Sequence, residues 1–355
     1  MGLPSSIAKL AGSRRWWPAL AACALGAATL WWAAAGHAPA PASARANLPA
    51  CVLPAQAGGA PHPGMVWVPA GVLTGAAALY SEEARSAATP VAGFWMDRTE
   101  TSNDAFAAFV AATGYVTVAE RSVDAKLHPG LPDEMRLPGA VVFDMPAAAD
   151  AHGDPSQWWR YVAGANWRHP GGPATSIAGH GAYPVVAVTI EDARAYAAWK
   201  GRALPTEAQW EWAARAGQPA TQEREQPVQA NTWQGVFPVL NSGEDGYLGL
   251  APVACYAPNA YGLYDMIGNV WELTADVFRG EPAEAPAAPD QAPMLPGASA
   301  DARHVIKGGS YLCAPNYCMR YRAGARQPQE DDLAAGHLGF RTVLVAPAPA
   351  PAPRP

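Results

Sequence analysis

The sequence predicts an α+β fold of short elements and long connections, and three observations carry the prediction. Glycine and proline number 34 and 36 among 355 residues; turn-formers at that density cut regular structure short without reaching the range of low-complexity chains. Three segments with helical spacing each have a capping residue in front and a glycine behind. Short apolar runs bounded by turn residues lie between them, the signature of strands. Half of the residues are hydrophobic, enough for one large core or two smaller ones, and 14 tryptophans are available to build that core or to line a cleft.

The elements follow in chain order. Residues 1–46 read as a targeting segment and stay out of the fold. Lys9, Arg14 and Arg15 precede an uncharged apolar run from Trp16 to Gly36. Ala42-Ser43-Ala44 and Ala44-Arg45-Ala46 both suit cleavage after a small residue. The segment is a cleavable signal or an anchor long enough to span a bilayer, and the length of the run favours the anchor. Export to the periplasm or beyond is expected either way. Ser13-Arg14-Arg15 as a twin-arginine signal and Leu20-Ala21-Ala22-Cys23 as a lipoprotein site are weaker readings, the second because the apolar run continues past Cys23. Ala/Pro-rich residues 47–62 read as a linker, residues 63–345 as the folded domain and residues 346–355 as an extended Pro/Ala tail. A further Ala/Pro stretch near 280–300 is expected to be a surface loop.

Within the domain, Ser102 caps a helix to Thr113 with Phe106, Phe109 and Val110 on one face and Gly114 as its stop. Thr189 caps a second over Ile190–Lys200, ended by Gly201. Thr206 and Gln209 make the capping box of a third over Glu207–Ala216, with Gly217 beyond. Strands are expected at Met65–Val68, Phe94–Asp97, Val185–Val188, His304–Lys307 and Gly339–Val345, and turn or loop elsewhere. No internal repeat appears, which argues against solenoids and propellers. The net charge is −6 with 15% charged residues and no basic block, so nucleic acid is not an expected partner.

Five cysteines, Cys23, Cys51, Cys255, Cys313 and Cys318, are too few and too odd in number for a disulfide scaffold. Cys313 and Cys318 stand five apart behind Gly308-Gly309-Ser310. Their spacing alone is compatible with a structural disulfide, with two inert core thiols, or with a redox or soft-metal site. Two thiolates suit Cu(I), whereas zinc would want further Cys or His ligands that the neighbourhood lacks.

The stretch from Lys307 through Cys313 and Cys318 to Arg322 resembles the active-site segment of the formylglycine-generating, or sulfatase-modifying, enzymes. The resemblance extends over Glu100-Thr101-Ser102-Asn103, Gly164-Ala165-Asn166-Trp167-Arg168-His169-Pro170, Arg202-Ala203-Leu204-Pro205-Thr206-Glu207, Asn241-Ser242-Gly243-Glu244-Asp245-Gly246, Gly268-Asn269-Val270-Trp271-Glu272 and Leu338-Gly339-Phe340-Arg341. These motifs run in the family's order from about residue 63 to 345.

The resemblance implies a compact variant of the C-type lectin fold. It implies an oxidase that uses O2 and Cu(I) to convert a cysteine in a Cys-x-Pro-x-Arg-type motif of a client sulfatase to formylglycine. Carried over residue by residue, Cys313 and Cys318 hold the copper, with the client thiol as third sulfur, and Ser310 and Trp271 flank it. Asp124, Trp167 and His337 line the substrate cleft, His337 where some members carry Asn. One calcium falls on Asn231, Asp245 and the carbonyls of Thr232 and Tyr247; a second falls on Asp265, Glu272 and the carbonyls of Gly268 and Val270. A monomer is expected, with the N-terminal segment as its link to a membrane.

The chain also departs from the family. Two disulfides of secreted eukaryotic members fall on Ala197, Ala214, Ala323 and Thr342, so packing and calcium are expected to hold the fold. Gln218–Ala230 is short and lacks a Pro-Trp-Gly hairpin, and Ala314-Pro315-Asn316 differs from the vertebrate pattern. Cys255 reads as a buried free thiol, and Trp167 and Trp271, taken alone, as core. Two other functions remain: a non-catalytic binding module of the same fold, and a non-haem iron oxygenase. The oxygenase would need a His cluster, and the eight histidines are scattered.

Overall fold

The computed structural model describes residues 51, 61–75, 78–83, 88–123, 130–148, 154–218, 226–227, 229–279 and 303–344. The targeting segment, most of the linker, the 280–300 stretch, the tail and Asp124 lie outside the described residues. Among the described residues no helix is long and apolar enough to cross a membrane.

The three helices form where their caps place them. In α1 (Asn103–Thr113), the Ser102 hydroxyl accepts from the Ala105 N–H, and Gly114 closes the helix at φ 68°. In α2 (Ile190–Trp199), Thr189 and Asp192 form a reciprocal capping box. In α3 (Glu207–Arg215), Thr206 and Gln209 do the same. This last helix ends at Arg215, two residues before the expected glycine, with Ala216 itself left-handed at φ 48°. Phe106 and Phe109 of α1 pack on Tyr196 of α2, with Phe340 against both Phe106 and Tyr196. This aromatic core continues without a break to Trp167, Trp271, Cys313 and Cys318.

Two sheets frame it. In one, Phe94–Asp97 is central, antiparallel to Met65–Val68 and to Val343–Leu344. The other runs Arg326–Glu330, Arg303–Lys307, Trp271–Val277, Leu338–Gly339, with the last pair parallel. Separate two-stranded pairs join Gly139–Phe143 to Trp159–Ala163, Gly71–Leu73 to Thr89–Val91, and Gly235–Val236 to Leu240–Asn241.

Several expectations need correction. Val185–Val188 is no strand: Ala187 turns left-handed at φ 56°, so the ladder cannot continue. Gly339–Val345 divides into Leu338–Gly339 and Val343–Leu344 because the chain changes sheets between them, with Arg341 turned inward to Glu272. Trp271–Val277 and Arg326–Glu330 were expected as loop. The second tolerates Pro328 because it is an edge strand. Cys255 is no free thiol, since it is disulfide-bonded to Cys51, in the stretch that reads as linker. The fold therefore has a covalent tie that the cysteine count hid.

Candidate active site

The cysteine loop is anchored from both ends. On its N-terminal side the Arg303–Lys307 strand delivers Lys307, fully buried, whose Nζ donates to Glu211 of α3 at 3.0 Å. Gly308 and Gly309 follow at φ 97° and 75°. A Cβ on Gly309 would stand 2.9 Å from the Arg320 carbonyl oxygen, so only glycine lets the two ends of the loop close this tightly. On the C-terminal side Arg320 pairs with Glu82 at 2.7 Å and Arg322 with the buried Glu83. The Met319 N–H also donates to the Tyr80 hydroxyl. Breaking a buried pair of this kind costs about 3–5 kcal/mol, because it strands a charge; these pairs fix where the loop sits.

Within the loop the Ser310 carbonyl accepts from the Cys313 N–H, and its hydroxyl from the Leu312 N–H. Ser310 therefore shapes the turn on which Cys313 sits. The Ala314 carbonyl accepts from both Tyr317 and Cys318 N–H groups, and that turn folds Cys318 back over Cys313. Asn316 clamps the outside, bonding both the N–H and the carbonyl of Phe237 while Tyr317 stacks on the Phe237 ring. The sulfurs end 2.7 Å apart as free thiols, 1% and 5% exposed. Burial pushes the Cys313 thiol well above its usual range, reinforced by Cys318 and opposed by the Ser310 backbone and the Arg320 charge.

Trp271 and Trp167 belong to the same buried core cluster as the two cysteines, as their core reading expects. The His337 carbonyl accepts from the Trp271 N–H, and its ring lies 4.7 Å from that of Trp159. Among the described residues, Trp158 Nε1, Trp159 Nε1, Trp167 Nε1, Tyr321 Oη and His337 Nδ1 are buried without a hydrogen-bond partner. Each such unpaired polar atom is costly unless something else uses it. Burial and the neighbouring cysteine pair push the Tyr321 phenol up to about 12. Sequence reading singled out neither Trp159 nor Tyr321, and an isolated aromatic carries no signal before folding. A recess lined by Arg121, Met135, Tyr161, Glu330 and Asp332 lies elsewhere and includes none of the cysteine-site residues.

Burial lowers the pKa of His337 from 6.5 to about 4. Between those values the unfolded chain takes up a proton that the folded chain refuses. The neutral ring's contribution to stability is therefore complete above about pH 6.5 and is lost as pH falls toward 4. His337→Asn, which cannot titrate, is expected to melt less steeply with falling pH than wild type over that window. A difference in melting temperature that stays constant from pH 7 to 4 would contradict this.

The oxygen-rich sets lie on adjoining loops. Asp245 accepts from the N–H groups of Thr232 and Tyr247 and from the Gln234 amide, all neutral donors. Burial still raises its pKa. Asn231 contacts the second set through Asn269, its amide donating to Asn269 Oδ1 at 3.0 Å. Asp265 and Asn269 are left-handed at φ 53° and 56°, with Gly268 at 81° between them. Burial pushes Asp265 up to about 6. Glu272 is buried. Arg341 holds both its oxygens, at 2.6 and 2.7 Å, and Trp210 Nε1 donates to one of them at 2.8 Å. Among the described residues no three His, Cys, Asp or Glu side chains close on one point, so a hard cation on either loop would draw on main-chain oxygens as well.

Over residues 52–346 the chain matches the sulfatase-modifying factor enzyme 1-like domain, and it belongs to that family. The formylglycine-generating enzyme of Mycobacterium tuberculosis is 46% identical to it over 278 residues, covering 76% of this chain and 93% of the relative. The formylglycine-generating enzyme of Mus musculus is 40% identical over 293 residues, 78% of this chain and 74% of the relative. Among solved structures, PvdO from Pseudomonas aeruginosa aligns with a TM-score of 0.50 at 22% identity, over 79% of this chain and 93% of that one. That likeness is one of fold, and it agrees with the loop-rich α+β architecture expected from the sequence.

Proposed function

We propose that this chain oxidises a cysteine of a client sulfatase to formylglycine, with O2 as oxidant and copper held by Cys313 and Cys318. The observation that carries the reading is the pair of free, buried thiols 2.7 Å apart on a loop anchored by ion pairs. Two soft sulfurs fit Cu(I), and the donor set fits a hard or four-ligand metal poorly. Copper, when bound, supplies the redox chemistry toward oxygen.

The chain's own residues do the rest. Lys307, Glu211, Arg320 and Glu82 hold the loop so that the sulfurs need not reorganise. Arg320 brings a positive charge toward sulfurs that must become thiolates. Trp271, Trp167 and Trp159 exclude bulk water, which strengthens electrostatic interactions at the site. His337, kept neutral by burial, offers an unpaired Nδ1 to the client, and Trp167 and Tyr321 offer further unpaired groups. Asp124 takes its substrate role from the resemblance alone.

Calcium is the second implied ion. Asn231, Asp245 and the carbonyls of Thr232 and Tyr247 would hold one, and Asp265, Glu272 and the carbonyls of Gly268 and Val270 another. The buried Asp245 carboxylate among amide partners supports the first site. Export is supported by the Cys51–Cys255 disulfide, a bond that persists in oxidising compartments. In that reading residues 16–36 tether the enzyme to the membrane.

Copper dependence is tested on protein stripped of metal and then given one equivalent of Cu(I), incubated in air with a Cys-x-Pro-x-Arg peptide. Conversion is expected to return with copper and to be absent without it. Equal conversion by stripped and loaded protein would overturn the copper assignment.

A further inference from the structure

We propose that Tyr321 is a hydrogen-bond donor to the reacting sulfur of the client and holds it beside Cys313 and Cys318; the inference rests on the reading of that pair as the reaction centre. Tyr321 stands three residues after Cys318, between two arginines that turn to the Tyr80–Glu83 segment. Arg320 pairs there with Glu82, and Arg322 with Glu83. Tyr321 packs instead into the core cluster that contains both cysteines and Trp271, and it is 1% exposed. The ionisable groups around its phenol are Cys313, Cys318, Tyr80 and Arg322. Among these neighbours its Oη remains buried without a hydrogen-bond partner.

A buried hydroxyl that bonds nothing is costly, and a partner that arrives with the client accounts for it where packing does not. The other polar groups nearby are already committed. Arg320 and Arg322 hold carboxylates, and the Tyr80 hydroxyl accepts from the Met319 N–H. A client sulfur bound as thiolate carries charge into a buried site and needs donors there. A phenol is uncharged at neutral pH and offers one O–H, and a hydrogen bond from it to a charged sulfur is of the stronger, charge-assisted kind. A site built around two thiols brings the client's sulfur closer than any other client atom, so the sulfur is the acceptor assigned to Tyr321.

The test compares wild type with Tyr321→Phe, both loaded with Cu(I) and kept free of oxygen. It measures binding of a fluorescent Cys-x-Pro-x-Arg peptide and of the same peptide with alanine in place of cysteine. The variant is expected to hold the cysteine peptide roughly tenfold or more weakly, the scale of one hydrogen bond to a charged group, and the alanine peptide as tightly as wild type does. Its Cu(I) affinity should be unchanged. Free of metal it should melt at or above the wild-type temperature, because the hydroxyl it lacks bonds nothing in the resting protein. Equal affinity of both proteins for the cysteine peptide would overturn the role of Tyr321 and leave the reaction centre intact. Equal weakening toward both peptides, a weaker Cu(I) site or a clearly lower melting temperature would overturn it too, since each marks a structural hydroxyl. Wild type that binds the two peptides equally would overturn the reading of the cysteine pair as the place of the client sulfur, and the inference with it.

Discussion

Cys313→Ala and Cys318→Ala each lose formylglycine production by a factor on the order of a thousand or more, the scale seen when one member of a catalytic unit is removed. The expectation follows from the pairing. A lone thiol in this pocket keeps its desolvation and loses its partner for Cu(I), so the second cysteine cannot substitute for the first. Cys318→Ser is expected to fail similarly and also to bind Cu(I) more weakly, because a hydroxyl is a poor ligand for a soft ion. The fold should survive all three changes. Each removes or replaces only the sulfur atom in a core that also contains Leu312, Trp271 and Tyr321, and the loop's anchors at Lys307, Arg320 and Arg322 remain. Circular dichroism and melting in parallel with the activity assay separate loss of chemistry from loss of structure. Conversion near the wild-type rate by a folded variant would contradict a two-cysteine centre.

The second large effect concerns stability. Replacing both Cys51 and Cys255 by Ser is expected to cost about 2–4 kcal/mol, the usual worth of a disulfide that closes a long loop, and the bond here spans 204 residues of sequence. For a domain of this size that lowers the melting temperature by roughly 5–15 °C. The loss should be larger in EGTA than in calcium. Both sulfurs lie near the Tyr247 hydroxyl, at 3.3 and 3.4 Å, and Tyr247 belongs to the loop that carries Asp245. In the calcium reading the ion and the disulfide brace the same loop. A variant that melts within a degree of wild type under both conditions would show that the bond contributes nothing in solution.

What was legible in the sequence was whatever has a local cause. Ser102, Thr189 and Thr206 announce three helices because capping is settled within four residues, and Gly308-Gly309-Ser310 announces the turn that carries the cysteines. The motifs around Trp167, Trp271 and the cysteines made the family legible through the resemblance. Long-range features were not legible. Nothing near Cys51 says that Cys255 lies beside it, and the even run Val185–Val188 conceals the left-handed Ala187. Arg326–Glu330 is a strand because an edge accepts its polar residues and Pro328. The anchors Glu82 and Glu83 reach Arg320 and Arg322 across more than two hundred residues, and acidic pairs on a surface look the same before folding. Glu272 pairs with Arg341, 69 residues further on, a partner that nothing in its own motif announces.

The central claim is that the Cys313–Cys318 pair makes formylglycine. It is tested most directly by mass spectrometry of a Cys-x-Pro-x-Arg peptide after aerobic incubation with copper-loaded protein, wild type against the Cys313→Ala, Cys318→Ala double variant. The account predicts a product with the mass of the aldehyde residue, trapped by a hydrazide probe, from wild type and none from the folded double variant. An unmodified peptide from wild type, or the aldehyde from both proteins at the same rate, would contradict it.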